Sequence, residues 1–176
     1  MRVTAVIGLI GAGLLLAGCG SGSVSGDAEP AGVAGGEPVF TPCDDIPDDV
    51  IQGIGVDPAS EEREIMDVKQ PGWNICGWRG KDFHLSVFAT THTLDQVRAN
   101  DQYEEFSQIQ LNDRRGITYR EKADVDRERC DVAVESGGGV VLVSAGFFGS
   151  TKPMNSYEAC DVAVQAARAL TPYIPE

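Results

Sequence analysis

The spacing of apolar residues divides the chain into three stretches of different character. Residues 3–16 form a nearly unbroken apolar run, interrupted by Gly8, Gly11 and Gly13 and preceded by Arg2. Residues 20–37, GSGSVSGDAEPAGVAGGE, show no apolar period and are rich in Gly, Ser, Ala and Pro. No packed element can be built from that composition, which reads as a flexible tether. From about residue 41 onward, apolar positions recur with the periods of helix and strand.

Within that last stretch, Asp44, Asp45, Asp48 and Asp49 lead into Ile46, Val50, Ile51 and Ile54, with Gly53 and Gly55 as stop signals. This pattern predicts a short helix over 44–53, because acids at a helix start are favoured by the dipole. A strand is predicted at 64–68, and a hairpin from 73–78 and 83–91 around Gly80-Lys81. In its second arm Phe83, Leu85, Val87 and Ala89 alternate with His84, Ser86, Phe88 and Thr90. Thr93 caps a predicted helix over 93–103, and strands at 108–111 and 117–120 flank the turn sequence NDRRG. The pentapeptide CDVAV occurs at 130–134 and again at 160–164. The first copy leads into ESGGGVVLVSAGFF and predicts a strand and a glycine turn. The second follows NSYEA, so Asn155 or Ser156 caps a helix with Ala159, Val162, Ala163, Ala166 and Leu170 in register. Strands joined by short turns imply an α+β domain, an antiparallel sheet with helices packed on one face. Phe147 and Phe148 are adjacent, so in a strand they imply a second apolar face to be covered by a helix, a ligand or a partner.

The leader and the cysteines set the expected location. Residues 1–18 read as a secretory signal, too short and too glycine-rich for the roughly 20 apolar residues of a membrane span. Leu16-Ala17-Gly18-Cys19 resembles a bacterial lipobox, which implies cleavage between Gly18 and Cys19. It also implies a diacylglyceryl group on the Cys19 sulfur and an acyl chain, such as palmitate, on its amine; two or three chains attach a protein durably. Residues 19–40 are then the lipidated cysteine and linker, and 41–176 a single extracytoplasmic domain. There are five cysteines. With Cys19 given to lipid, the remaining four suit two disulfides outside the reducing cytosol. Cys43 with Cys76 and Cys130 with Cys160 are the favoured pairs, each joining a helix neighbourhood to a strand; the other two connectivities stay open. The net charge of −13 becomes −14 once Arg2 leaves with the leader, which argues against a nucleic-acid partner and a polybasic membrane contact.

Candidate chemistry is sparse. The acids at 44–49 lack the ligand spacing of a calcium loop, and no two cysteines stand at zinc-knuckle spacing. His84 and His92, the only histidines, would lie about 26 Å apart on one strand. No G-x-S-x-G is present, and Gly137-Gly138-Gly139 lacks the Lys and helix of a phosphate loop. No catalytic residue, metal or cofactor is expected. Arg114, Arg115, Arg120, Lys122, Arg127 and Arg129, interleaved with acids, read as solvated strand edges and as the one place suited to an anionic ligand. Trp73, Trp78, Phe83, Phe88, Phe147 and Phe148 read mostly as core.

The lipobox, TPCDDIP, WNICGW and CDVAVQAARAL together resemble a family of actinobacterial, notably mycobacterial, lipoproteins of the Lpr and Lpp series that share a domain of unknown function. The resemblance covers roughly residues 41–176. It implies an exported, membrane-tethered α+β domain on the outer face of the cytoplasmic membrane, and it supplies no catalytic residues. The expected function is a non-enzymatic module binding a small or lipidic ligand or another envelope protein. An envelope hydrolase with an unfamiliar active site is the alternative.

Overall fold

The computed structural model describes residues 36–147 and 156–176, all within one compact unit, Ala31–Glu176. Two short helices open it, α1 (Pro42–Asp45) and α2 (Asp48–Ile54), separated by Ile46-Pro47 and closed by Gly55 in the left-handed conformation at φ 102°. Strands β1 (Val56–Arg63), β2 (Trp73–Gly80) and β3 (His84–Thr90) follow. Helix α3 (Leu94–Ala99) carries a capping box between Thr93 and Gln96. Then come β4 (Tyr103–Leu111), β5 (Arg114–Glu121), β6 (Arg129–Ser136) and β7 (Gly139–Gly146), helix α4 (Ser156–Leu170) and a 3₁₀ turn, Thr171–Tyr173.

All seven strands lie in one antiparallel sheet in the order β1-β2-β3-β7-β6-β5-β4. Two meanders, β1 to β3 and β4 to β7, meet where β3 pairs with β7 and Val87 stands opposite Val143. Strand alternation sorts the side chains. On one face Leu85, Val87 and Ala89 join Val141, Val143, Ala145, Val132 and Val134 in the main core. Helix α4 crosses β6 and β7 there. It meets the sheet through fully buried Ala159, Ala163 and Ala167, small residues that let helix and sheet backbones come close. Cys130–Cys160 fastens α4 to β6 with Cα atoms 4.9 Å apart, and Cys43–Cys76 fastens α1 to β2 at 5.4 Å.

The expected α+β layering, with helices packed on one face, is not what the chain adopts. Strand outweighs helix, 45% against 25%, so the fold is a mainly antiparallel sheet with few helices. The helices also do not share a face. Val97 of α3 belongs to a second cluster with Ile117, Tyr119, Ala133, Val140 and Leu142, the alternate positions of β5, β6 and β7, opposite α4. The strand expected at 64–68 is instead an irregular connection, and β1 precedes it. In that connection Glu64, Met66 and Asp67 take positive φ values of 59°, 53° and 59°, which ends any extended ladder.

Both outer strands are irregular. β1 contains Pro58 and shifts register between Asp57 and Glu62. β4 shifts between Glu104 and Ser107, with Glu105 at φ 56°.

Candidate functional site

The second face of the sheet is only partly covered. Helix α3 shields β5 to β7 near Val97 and Leu94, and beside it two cavities of about 300 and 360 Å³ adjoin, sharing Trp73, Tyr103 and Leu142 as walls. Both volumes are in the range of small-ligand sites.

The first cavity has aromatic and aliphatic walls: Trp73 and Ile75 from β2, Phe88 from β3, Tyr103 from β4 and Tyr119 from β5. The rings are organised. Tyr103 and Tyr119 lie 4.6 Å apart between centroids, Phe106 packs on Tyr119 at 5.8 Å, and His92 packs on Trp73 at 5.5 Å. Ile65 and Gln70 reach the same cavity from the 64–72 connection. Lys69 holds that connection at its base, bonding the Trp73 carbonyl, Asn74 Oδ1 at 2.6 Å and Glu37 at 3.0 Å. Ile65, Met66 and Val68 above it are exposed.

Charge enters through Asp131, Arg129 and Glu121. Arg129 binds Oδ1 of Asp131 through Nε at 3.2 Å and Nη2 at 3.1 Å, Glu121 Oε1 through Nη1 at 3.2 Å, and the Ser144 hydroxyl through Nε at 2.8 Å. Asp131 is 1% exposed, and its Oδ2 has no hydrogen-bond partner. Burial pushes its pKa up, against the opposing pull of Arg129 and Ser144, with Glu121 adding to the rise. Burial also works against the Arg129 charge, yet Asp131 and Glu121 outweigh it and hold the guanidinium above its ordinary value. Tyr119 and Tyr103 are both pushed up, first by burial and then by nearby carboxylates. The second cavity lies under α3 and is lined by Thr90, His92, Gln96, Val97 and Asn100, with no carboxylate, Lys or Arg in its wall.

The Ser144 hydroxyl accepts from Arg129, and His92 faces a tryptophan ring rather than a nucleophile. His84 is exposed on β3. Cys43, Glu61 and Cys76 bring three potential metal ligands together, but both thiols are spent in a disulfide.

Of the residues singled out in the sequence, Gly18, Cys19 and Phe148 lie outside the described residues. The four other cysteines are bonded as Cys43–Cys76 and Cys130–Cys160. Much of the basic group is engaged by neighbouring groups. Arg120 is buried against Glu105 and Asp124, Arg127 pairs with Glu104 and Glu105, and Arg114 holds the Glu135, Ile174 and Pro175 carbonyls. Trp73 and Phe88 are half-buried cavity walls, while Trp78 and Phe147 are core. Asp131, Tyr103 and Tyr119 were missed. The available signal was Asp131 itself, an acid inside the apolar run CDVAV.

Comparison with family patterns matches residues 14–173 to DUF3558, described as a protein of unknown function. The chain belongs to the DUF3558 family. No curated protein and no solved structure matches it. In this DUF3558 domain, no helix among the described residues is long and apolar enough to cross a membrane.

Proposed function

We propose that this chain is a non-enzymatic binding module, tethered by lipid on Cys19 to the outer face of the cytoplasmic membrane, as in the actinobacterial lipoproteins it resembles. The twin cavity on the second face of the sheet is its ligand site. The observation that carries this reading is a pair of adjoining cavities, walled by rings from four strands and holding a buried carboxylate with one oxygen unpartnered. Buried polar atoms are nearly always bonded, so a carboxylate oxygen left unbonded calls for an explanation, and a ligand donor supplies one. The tether is supported by the Leu16-Ala17-Gly18-Cys19 tetrapeptide, by the linker over 20–37, and by a family match whose start at residue 14 takes in the tetrapeptide.

The test is native mass spectrometry of the full chain extracted from its own envelope in a nonionic detergent. A small molecule that co-purifies with the wild type and is lost from Leu142→Trp, which fills the shared wall, supports the reading. Bare protein with esterase turnover overturns it in favour of a hydrolase. A bound protein retained by Leu142→Trp overturns it in favour of a docking module.

A further inference from the structure

The twin cavity also carries information about the charge of its occupant, and the inference drawn from it rests on the ligand-site reading above. Two carboxylates, Asp131 and Glu121, face one guanidinium, Arg129, leaving an excess of one negative charge against the rings. Arg129 is engaged by its neighbours through all three of its nitrogens: Nε serves Asp131 and Ser144, Nη1 serves Glu121 and Nη2 serves Asp131. An anion approaching Arg129 would compete with those bonds and would meet two carboxylates. Both Arg129 nitrogens that serve Asp131 go to Oδ1, while Oδ2 is buried and has no partner. A donor, not an acceptor, is what this oxygen lacks.

The walls point the same way. Trp73, Tyr103 and Tyr119 line the cavity with aromatic rings, whose quadrupoles attract a cation, and Asp131 and Glu121 beside them disfavour negative charge, adding to the rise that burial chiefly imposes on the Tyr103 and Tyr119 hydroxyls. The neighbouring cavity has no charged wall and suits an uncharged body. The net charge of −13 over the whole chain favours accumulation of cations at its surface.

We propose that the site binds an organic cation with an apolar body, an amine or quaternary ammonium. Its charge lies among Trp73, Tyr103 and Tyr119 beside Asp131 and Glu121, and its body lies under α3 in the adjoining cavity.

Three probes sharing a three-carbon phenylalkyl skeleton and differing in charge test this on the full chain in nonionic detergent: 3-phenylpropylammonium, 3-phenyl-1-propanol and 3-phenylpropanoate. The readout is intrinsic fluorescence. Trp73 is the tryptophan in the cavity and Trp78 is buried on the other face, so a Trp73→Phe control assigns the signal. The ammonium should saturate at a concentration about tenfold below the alcohol, and the propanoate should give no saturable change. Glu121→Gln at the half-exposed margin should weaken the ammonium by severalfold and leave the alcohol unchanged. Asp131→Asn should weaken it further, and if that variant does not fold, Glu121→Gln alone decides. Equal binding of alcohol and ammonium, or a Glu121→Gln variant with undiminished preference, overturns the cation assignment and leaves the ligand-site reading standing. Silence of Trp73 to all three probes overturns the cation assignment alone if envelope-extracted protein carries a ligand, and both readings if it is bare.

Discussion

Arg129 grips a single oxygen of Asp131, at 3.2 Å from Nε and 3.1 Å from Nη2, and leaves the other oxygen buried without a hydrogen bond. The pair is therefore incompletely satisfied, and a carboxylate in that position is a cost to the fold that the ion pair only partly offsets.

A pH dependence follows. Burial raises Asp131 above its ordinary 3.8, so the folded chain holds this proton more tightly than the unfolded one. The contribution of Asp131 to stability is then greatest below about pH 3.8 and declines as pH rises from there through the folded value. Urea unfolding of wild type and Asp131→Asn between about pH 3 and 7 should show the wild type losing ground to the variant as pH rises. A difference that grows in favour of the wild type would falsify the burial-dominated account.

Removing the second disulfide as Cys130→Ala with Cys160→Ala should lower unfolding stability by about 3 to 4 kcal/mol in the loop-entropy picture. The bridge closes a separation of 30 residues. Denaturant midpoints of the double variant, measured beside the wild type, check the magnitude.

Two glycines should respond in opposite directions. Gly139 begins β7 directly against the backbone of Thr90, so a Cβ there would collide with the Thr90 carbonyl. Gly139→Ala should destabilise by about 1 to 3 kcal/mol. Gly53 lies inside α2 with nothing within 4 Å of an added Cβ, and Gly53→Ala should stabilise by about 0.5 to 1 kcal/mol. Thermal melts of the two variants in one buffer suffice.

Cys19→Ser should move the chain from the membrane fraction to the soluble one and abolish incorporation of labelled fatty acid. Retention of the serine variant in membranes, with no label in the wild type, would count against the tether.

The paired strands could be read where local pattern and tertiary context agree. The 83–91 alternation became β3, and Asn112-Asp113 of NDRRG and Gly137-Gly138 became the turns of β4–β5 and β6–β7, with 114–116 and Gly139 already in the following strands. The two CDVAV copies separated into strand and helix as their flanks implied. β1 escaped because VDPASEER carries almost no apolar signal; an edge strand can form on backbone pairing with β2 alone. The apolar residues of 64–68 suggested a strand, yet Ile65, Met66 and Val68 are exposed. The side of the sheet taken by α3 was not legible, since an amphipathic helix does not specify which face it covers. The candidate site was hidden for a related reason. Trp73, Phe88, Tyr103, Tyr119, Asp131 and Leu142 come from six strands, and only the order β3-β7-β6-β5 brings them together.

The kinks in the two outermost strands bear on how copies of this chain behave when crowded. A straight, unpaired strand edge is a template for further strands and a route to sheet-to-sheet aggregation. Here Pro58 lacks a donor on one side of the sheet, and the displaced register around Glu105 interrupts the row of donors and acceptors on the other. Neither margin offers an uninterrupted template, so the seven-stranded sheet resists growth by recruitment of its neighbours even at high local density.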